Sequence, residues 1–300
     1  MLALRKRHIG AAAVMAISLS LTLSACGGSE SATPTESAVT ADEAVVALVP
    51  ADLAAKGVIT FGTELGYPPF EMTEADGTTL TGFDIDLATA AAELMGLKVE
   101  FKNSSFDSII PSVISKRYDA GISSFTVTGE REKQVDFATY MSSGDAGVVP
   151  VGNPKGLALD TTLCGTKVGV LKGSTQETDS APQLNAECKK AGKPEIAFTV
   201  IAASDQMPIA LQSGRVESLV TDSANAATIS QNSNGKFEVP AGPLLNPVLL
   251  GALSAKGSGV AQALQAAFQK LIDNGTYQQF ADKYNLSTSV ITTSEVNPKV

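Results

Sequence analysis

The sequence is almost without histidine: His8 is the only one, and it lies in a leader that we predict to be removed. Within residues 1–25, the basic segment Arg5-Lys6-Arg7 precedes an apolar run, Ile9 to Leu23, that is too short for a comfortable membrane span. This pattern predicts a secretory signal peptide. Without His8 the mature chain has no imidazole, which excludes histidine-dependent catalysis and His-ligated metal sites.

Cysteine is also scarce, with three residues in the whole chain. The leader ends in Leu23-Ser24-Ala25-Cys26, which resembles the bacterial lipobox, where the cysteine is lipidated and becomes the first mature residue. The alternative is an ordinary cleavage site beside a chance cysteine. Acyl chains on Cys26 would anchor the protein on a membrane without crossing it. Cys164 and Cys188 remain, and in an exported protein we expect a disulfide, or else two separate buried thiols.

Positive charge is in deficit. The chain has 22 Lys and Arg against 31 Asp and Glu, a net charge of −9. Loss of the leader removes three basic and no acidic residues, which leaves 19 basic residues and a net charge of −12. A protein this acidic is a poor partner for nucleic acid or for anionic lipid surfaces. We therefore expect no nucleic-acid partner.

Nucleotide-binding motifs are missing as well. Gly169 to Thr175 contains glycines and a lysine, but their spacing does not fit G-x-x-x-x-G-K-[ST], and no G-x-G-x-x-G occurs near a strand end. The segment remains a strand-to-helix turn whose free N–H groups suit a small anion or polar group. We expect no cofactor, and we find no repeat of the solenoid kind.

Two kinds of segment follow the leader. Residues 26–55 are rich in Ser, Thr, Ala and Glu and have no sustained periodicity, so we predict a flexible tether. A short helix near 41–48 would have little to pack on. From Gly57 the pattern alternates between strand-like runs and helical periodicity. The predicted strands are Val58–Thr63, Lys98–Phe101, Tyr118–Ile122, Ala146–Val151, Lys167–Leu171, Glu195–Ile201, Val216–Thr221 and Val248–Ser254.

Helices are predicted between these strands, and the order predicts an α/β fold with mostly parallel sheets flanked by helices. Breaks at Gly152–Gly156 and Pro240–Pro247 surround an inner α/β unit. We therefore predict two lobes, the first formed by residues 56–146 and 247–300 and the second by residues 147–246. The predicted helices are Asp84–Leu94, Phe106–Ile114, one beyond Thr175, Gln206–Gln212, one after Asp222, Val260–Ile272 and Thr276–Tyr284.

The most distinctive stretch is Ser123-Ser124-Phe125-Thr126-Val127-Thr128-Gly129-Glu130-Arg131, between a predicted strand and a charged helix. A helix start favours anions, and the planar fork of Arg131 matches a carboxylate, so one interpretation is a carboxylate receptor. The alternative is a helix N-cap at Thr128 followed by a solvated charge run.

Other candidates also have two interpretations. Asp222 follows a predicted strand, where α/β sheets place ligand-facing groups, but it would equally serve as the N-cap of the next helix. Tyr67 and Phe70 are either ligand-facing or core aromatics beside a turn. Glu64, after the first strand, is either a site residue or a solvated loop charge.

Several segments between Gly57 and Leu286 together resemble the solute-binding proteins of bacterial ABC uptake systems for amino acids. They are similar in particular to the binders of polar and basic amino acids, such as those for histidine, lysine/arginine/ornithine and glutamine. The motifs occur in family order over about three quarters of the chain: Gly62–Phe70, Gly82–Leu87, Phe106–Pro111, Ser123–Arg131, Val168–Thr178, Gly214–Val216, Asp222 and Asn274–Tyr277.

This resemblance implies a periplasmic-binding-protein fold of type II, in which two crossover strands form a hinge and the lobes close on one amino acid. It implies a monomer outside the cytoplasm, on a cell surface or in a periplasm, that delivers its ligand to an ABC permease and its ATPase. The bound ligand is expected to favour the closed form, because the residues that bind it lie in different lobes.

Carried over by position, the resemblance implies a ligand site. Arg131 would bind the α-carboxylate, and Asp222 the α-ammonium group. The remaining residues are implied to assist Arg131 (Ser124, Thr126 and Thr175), to sandwich the ligand side chain (Tyr67 and Phe106), or to surround its far end (Glu64, Ser123, Leu171 and Gln176).

Glu64 departs from several relatives, which have Asp there. It is expected to hold a cationic side chain, or alternatively to accept from an amide or turn outward. The resemblance extends to cyclohexadienyl dehydratases, enzymes on the same scaffold, for which Glu64 is the only obvious general acid or base. A sensory ligand-binding module is a third possibility. We expect a binding protein rather than an enzyme, with a basic or polar amino acid as ligand.

Overall fold

The structure is a computed structural model that describes residues 40–299. The predicted signal peptide, Cys26 and residues 26–39 of the predicted tether lie outside the described residues. No helix within residues 40–299 is long and apolar enough to cross a lipid bilayer.

The elements follow the alternation seen in the sequence. The strands are β1 Val58–Thr63, β2 Met72–Thr73, β3 Leu80–Thr81, β4 Lys98–Asn103, β5 Ala120–Gly121, β6 Val135–Pro150, β7 Lys167–Leu171, β8 Ala197–Ile201, β9 Ser218–Asp222, β10 Phe237–Glu238 and β11 Leu245–Ala255. The helices are α1 Glu43–Val46, α2 Ala51–Lys56, α3 Phe83–Leu94, α4 Phe106–Ile114, α5 Gly129–Glu132, α6 Ala181–Lys190, α7 Gln206–Gln212, α8 Ser223–Asn232, α9 Val260–Asp273 and α10 Thr276–Lys283. A π-helical turn, Gln176–Ser180, precedes α6.

One nine-stranded sheet runs through the described chain in the order β4-β1-β5-β11-β6-β9-β7-β8, with β10 paired to β6. Its first half contains the parallel strands β4, β1 and β5, and its second half contains the parallel strands β9, β7 and β8. Between them β6 and β11 run antiparallel. The predicted α/β class is confirmed.

Strand β6 joins the two halves, and its length differs from the prediction. A strand was expected over Ala146–Val151 only, but β6 begins at Val135 and has 16 residues. It pairs with β11 from Val135 to Asp145 and with β9 from Asp145 to Val148. The added portion lacks alternation between polar and apolar residues because it is largely buried on both faces. Period-based reasoning therefore misses it.

Strand β11 returns the chain to the first half of the sheet. It begins at Leu245, inside the segment expected to be a break, and its pairing with β6 shifts register between Leu245 and Val248. The two crossover strands implied by the resemblance are thus β6 and β11. The lobe boundaries at residues 147 and 246 remain a prediction.

Residues 40–55 differ from the predicted tether. They contain α1 and most of α2, and the side chains of Val45 and Leu53 are 3% and 4% exposed within the core of the first half. Lys270 of α9 also forms an ion pair with Asp42, at 2.9 Å. The segment is short and alanine-rich, and Pro50 interrupts it, so it becomes part of the fold only through the contacts of α1 with α9 and of α2 with β1.

The predicted disulfide is present between Cys164 and Cys188, whose Cα atoms are 5.6 Å apart. It closes a loop between residues separated by 24 positions in the second half of the molecule. In the chain-entropy model, closing a loop of this length stabilises the folded state by about 3–4 kcal/mol.

Candidate functional site

A single cavity brings together all eleven residues that the sequence singled out for ligand binding. Ser174 and Thr221 also line it, and neither was predicted. The cavity is narrow, and its empty space is about 360 Å³, part of which is open to solvent. The predicted residues in its wall are Glu64, Tyr67, Phe106, Ser123, Ser124, Thr126, Arg131, Leu171, Thr175, Gln176 and Asp222.

Strand ends explain why these distant residues meet. Glu64 directly follows β1, Leu171 ends β7, and Asp222 ends β9. These are the carboxyl ends of parallel strands, the edge at which α/β sheets form ligand sites. The first half supplies one wall of the cavity and the second half supplies the other.

Arg131 lies in the short charged helix α5, whose predicted N-cap at Thr128 is present, while the carboxylate-receptor interpretation remains a prediction. Thr128 is the N-cap of α5, since its hydroxyl accepts from the Arg131 N–H at 3.2 Å. The Arg131 side chain turns inward, where Nη1 donates to the Thr126 carbonyl at 2.8 Å and Nη2 donates to the Gly173 carbonyl at 3.0 Å. Burial lowers the pKa of Arg131 to about 10. A guanidinium with this pKa remains charged at neutral pH.

Aromatic rings surround the Arg131 guanidinium. Its carbon Cζ lies 5.7 Å from the centre of the Phe106 ring and 5.6 Å from that of Phe125. The two rings are stacked, with centroids 4.5 Å apart. No carboxylate within residues 40–299 forms an ion pair with Arg131. The site therefore contains a desolvated cation held by carbonyl oxygens and ring faces.

Asp222 lies in the opposite wall and is 5% exposed. It stands at the N-cap position of α8, but its side chain makes no capping hydrogen bond. Instead, Oδ2 accepts from the Tyr67 hydroxyl at 2.6 Å and from the Ser124 hydroxyl at 3.1 Å, both in the first half. Burial, reinforced by the nearby charge of Asp145, raises the pKa of Asp222 to about 6. The Asp222 side chain therefore lines the cavity instead of capping α8, and its role toward a ligand remains a prediction.

Gln176 connects Asp222 to the crossover strand β6. Its Nε2 donates to Oδ1 of Asp145 at 2.7 Å and to Oδ1 of Asp222 at 3.3 Å. Asn246 of β11, with a φ of 48°, donates to Asp145 from the other crossover strand. The sequence analysis missed Asp145 because no motif or periodicity in the surrounding Ser and Gly residues marks it as a site residue.

Glu64 is buried and belongs to the cavity wall rather than to a solvated loop. Its Oε1 accepts from the Ser204 N–H at 3.0 Å, and its Oε2 has no partner among the described residues. Burial raises the pKa of Glu64 to about 7, and the Ser204 contact lowers it only in part. Glu64 is thus a carboxyl group whose charge depends on pH near neutrality.

The predicted aromatic sandwich has a more complex geometry. Tyr67 and Phe106 both line the cavity, but the Tyr67 hydroxyl is engaged by Asp222 and by the Thr221 hydroxyl, at 2.9 Å. The Phe70 ring is stacked on Tyr67 and fully buried, in agreement with the core interpretation of Phe70. Thr175 lies on the same side of the cavity as Arg131, because its hydroxyl donates to the Thr126 hydroxyl at 3.2 Å and the Thr126 carbonyl accepts from Arg131. Nothing in residues 40–299 forms a cluster suited to a metal ion.

Comparisons with known proteins agree with the fold. Residues 59–287 match the family described as bacterial extracellular solute-binding proteins, family 3. The arginine-binding protein ArgT of Corynebacterium glutamicum is 31% identical over 84% of this chain and 82% of its own length.

Solved structures of similar sequence have the same fold. An ancestral arginine-binding protein bound to arginine is 36% identical, with a TM-score of 0.68 over 76% of this chain and 98% of that one. An ancestral amino acid-binding protein, described as a precursor of cyclohexadienyl dehydratase, is 28% identical, with a TM-score of 0.69 over 78% of this chain and 97% of that one. The predicted two-lobed fold is confirmed.

Proposed function

Because this chain belongs to family 3 of the bacterial extracellular solute-binding proteins, we propose that it captures a basic L-amino acid, foremost arginine, for an ABC uptake system. The observation that carries the proposal is the separation of Arg131 and Asp222. Both line one cavity, they belong to different halves of the molecule, and among the described residues they do not form an ion pair with each other. In this proposal Arg131 binds the α-carboxylate and Asp222 binds the α-ammonium group.

Electrostatics supports this assignment. A free amino acid carries both charges, and each loses its water on entering a narrow buried site. An unpaired buried charge costs several kcal/mol, so both ends of the ligand need an opposite charge in the walls. The ligand would in turn neutralise the two charges that the protein leaves apart. Ser124, Thr126 and Thr175 provide hydroxyls next to this pair.

Glu64 supports a cationic ligand side chain. Its Oε2 has no hydrogen-bond partner within residues 40–299, and no cation forms an ion pair with the carboxyl group there. A guanidinium would supply both the missing donor and the missing positive charge. The arginine-binding relative and the arginine-bound ancestral structure are consistent with this choice. In this proposal Tyr67 and Phe106 flank the aliphatic part of the ligand.

The first experiment is a thermal-shift screen of the mature protein against the common amino acids. A ligand present at a hundred times its Kd stabilises the folded state by about 2.7 kcal/mol, which is a clear rise in melting temperature. Arginine and lysine should give the largest shifts. If no amino acid shifts the melting temperature, the proposed function is wrong.

Arginine affinity should increase with pH. Glu64 has a pKa raised to about 7, so its ionised fraction rises about tenfold between pH 6 and pH 8, and a cationic side chain binds the ionised form. The ionised fraction of Asp222, whose pKa is about 6, rises only about twofold over the same pH range. That rise affects neutral amino acids equally, because they also carry the α-ammonium group. Calorimetric titrations at pH 6, 7 and 8 should therefore show arginine affinity rising about tenfold more than glutamine affinity.

Glu64→Gln separates this effect from general damage. Losing an ionic hydrogen bond should weaken arginine binding about 10- to 100-fold and remove the extra pH dependence. Glutamine binding, which needs no carboxylate at that end, should change less than about threefold. Unchanged affinity of this variant for arginine would show that Glu64 does not select a cation.

A second function has one specific observation in its favour. The carboxyl group of Glu64, with its pKa near 7, has the property required of a general acid or base, and one structural neighbour is described as a dehydratase precursor. We therefore propose, as the alternative, a cyclohexadienyl-dehydratase-like activity. Turnover of prephenate or arogenate would establish it, whereas saturable one-to-one binding of arginine without product would exclude it.

We also propose that the mature protein is lipid-anchored at Cys26 and acts as a monomer beside its permease. Cys26→Ser should move the protein from the membrane fraction to the soluble fraction, and from the detergent phase to the aqueous phase in a partition assay. Acyl chains are the only anchor in this proposal. Ser29→Ala is the matched control and should remain with the membrane. Membrane retention of the Cys26→Ser protein would contradict the anchor.

A further inference from the structure

Two carboxyl groups, Glu71 and Asp84, are buried together directly behind the cavity. Both side chains are 0% exposed, and the Asp84 N–H donates at 3.1 Å to the carbonyl of Phe70, the residue before Glu71, so the two carboxyl groups lie close to each other. No cation in residues 40–299 forms an ion pair with either of them. Neither residue lines the cavity, so neither is needed to contact a ligand.

The contact between them requires a proton. The carboxyl oxygens that no N–H or O–H group in the described chain reaches are Oε2 of Glu71 and Oδ1 of Asp84. Two ionised carboxylates cannot remain in contact in a dry interior without a cation. One proton shared between these oxygens satisfies both atoms and removes the repulsion.

The other contacts indicate which group holds that proton. Oδ2 of Asp84 accepts from the Ser124 N–H at 2.9 Å and from the Tyr140 hydroxyl at 2.8 Å. Asp84 also lies in the first turn of α3, where the helix dipole stabilises negative charge. The donors at Glu71 are weaker, namely the Thr63 hydroxyl at 3.4 Å and the neighbouring Ser123 hydroxyl, and no N–H group of the described chain donates to its side chain. Asp84 is therefore the anion, and Glu71 is the acid that donates to it.

Surrounding charges favour the same assignment. The titratable groups that face the pair are Glu64, Asp222 and the hydroxyl of Tyr140, and none of them is a cation. Burial, together with the charge of Asp84, raises the pKa of Glu71 well above its ordinary value. Burial also raises the pKa of Asp84, to about 6, while its hydrogen bonds lower it in part.

The pair is connected to the cavity through Ser124. Ser124 has a φ of 50°, a left-handed conformation that is unfavourable for a residue with a Cβ atom. Its N–H bonds to Asp84, and its hydroxyl donates to Oδ2 of Asp222. Glu71 contributes again through its backbone, because its carbonyl accepts from the N–H of Tyr67, the other donor to Asp222.

We propose that Glu71 is a positioning residue for the amino-acid site, which keeps its proton at neutral pH and shares it with Asp84 so that Ser124 is held against Asp222. The inference rests on the proposed function for its effect on ligand binding. The shared proton itself can be measured without any ligand.

Glu71→Gln tests the protonation state, because an amide donates to Asp84 as a neutral acid does but cannot release a proton. The infrared difference spectrum between wild type and this variant at pH 7 should contain the carbonyl band of one protonated carboxylic acid. Wild type should also release one more proton than the variant when it unfolds at pH 7. The matched control is Glu74→Gln, an exposed glutamate nearby, which should retain the wild-type band.

The protonation of Glu71 should also make the stability of the wild-type protein depend on pH. The glutamate side chain loses its proton near pH 4.3 in the unfolded chain, whereas folded Glu71 keeps it. Wild type should therefore lose stability relative to Glu71→Gln as the pH rises from about 4.3 to neutrality. The melting temperature of wild type should fall relative to the variant by about 3 °C per pH unit.

Ligand binding tests the positioning role. Arginine affinity of Glu71→Gln at pH 7 should remain within threefold of wild type, while Glu71→Ala should weaken it at least tenfold. Two results would overturn the inference: an unchanged carbonyl band in Glu71→Gln, or a loss of arginine binding as large in Glu71→Gln as in Glu71→Ala. If Glu71→Ala does not fold, Glu71→Gln decides alone. If wild type binds no amino acid, the proposed function fails, and the carbonyl band still decides whether the proton is shared.

Discussion

Arg131→Ala should abolish binding of every amino acid that the wild-type protein binds. The α-carboxylate would enter a buried cavity that no other Lys or Arg of the described residues lines, and it would remain unpaired. Removing one partner of a buried charge pair costs about 3–5 kcal/mol, which corresponds to a roughly 150- to 5,000-fold weaker Kd. Isothermal titration calorimetry with arginine measures this loss directly.

Two further variants make the result specific. Arg131→Lys keeps the charge but loses the planar fork that bonds two carbonyls at once. Its affinity for arginine should therefore lie between the affinities of wild type and of Arg131→Ala. Arg215→Ala removes an exposed arginine of the second half and should bind normally. If Arg131→Ala binds arginine as wild type does, Arg131 is not the carboxylate receptor.

Asp222→Asn should have opposite effects on ligand binding and on the stability of the ligand-free protein. The amide keeps the shape of the side chain but removes the charge that faces the α-ammonium group. Losing that charge should weaken amino-acid binding by roughly 2–4 kcal/mol, or about 30- to 900-fold. Calorimetry with arginine and with a neutral amino acid should show the same loss, since both carry the α-ammonium group.

Ligand-free stability should increase in the same variant. Folding raises the pKa of Asp222 to about 6, so ionised Asp222 destabilises the wild-type protein progressively between about pH 4 and pH 6, and fully above that range. Asparagine has no such penalty, and at pH 7 the variant should be more stable by roughly 1–3 kcal/mol. Below pH 4 the two proteins should melt alike.

The control is Asp273→Asn, an exposed carboxylate at the end of α9, which should alter neither arginine affinity nor melting temperature strongly. A ligand-free Asp222→Asn protein that is less stable than wild type at pH 7 would show that Asp222 stabilises the fold rather than serving a ligand. Retained arginine affinity would contradict its role toward the α-ammonium group.

Much of the fold could be predicted because local patterns carry it. The strands β1 and β7 and the helices α4 and α7 have the predicted bounds, and most other elements differ by a few residues. Their apolar residues recur with the period of a strand or a helix, and turn residues separate them. Strand β6 was only partly predicted, because a strand covered on both faces needs no alternation.

The meeting of the candidate residues in one cavity was also predictable, because carboxyl ends of parallel strands meet at one edge and family motifs occupy those ends. The contacts inside the site were not. The Tyr67–Asp222 and Ser124–Asp222 hydrogen bonds join residues 155 and 98 positions apart. No local pattern encodes a pairing over such a distance.

The sequence by itself determined the class of fold, the family and the types of charge available for binding, because composition, periodicity and motif order are local properties. Only the tertiary structure decided how those charges are used. In the tertiary structure the Asp222 side chain does not cap α8, and Glu64 is buried with one carboxyl oxygen that has no hydrogen-bond partner among the described residues. Glu71 lies against Asp84. Burial and proximity set the protonation of these carboxyl groups, and both arise only when distant segments pack together.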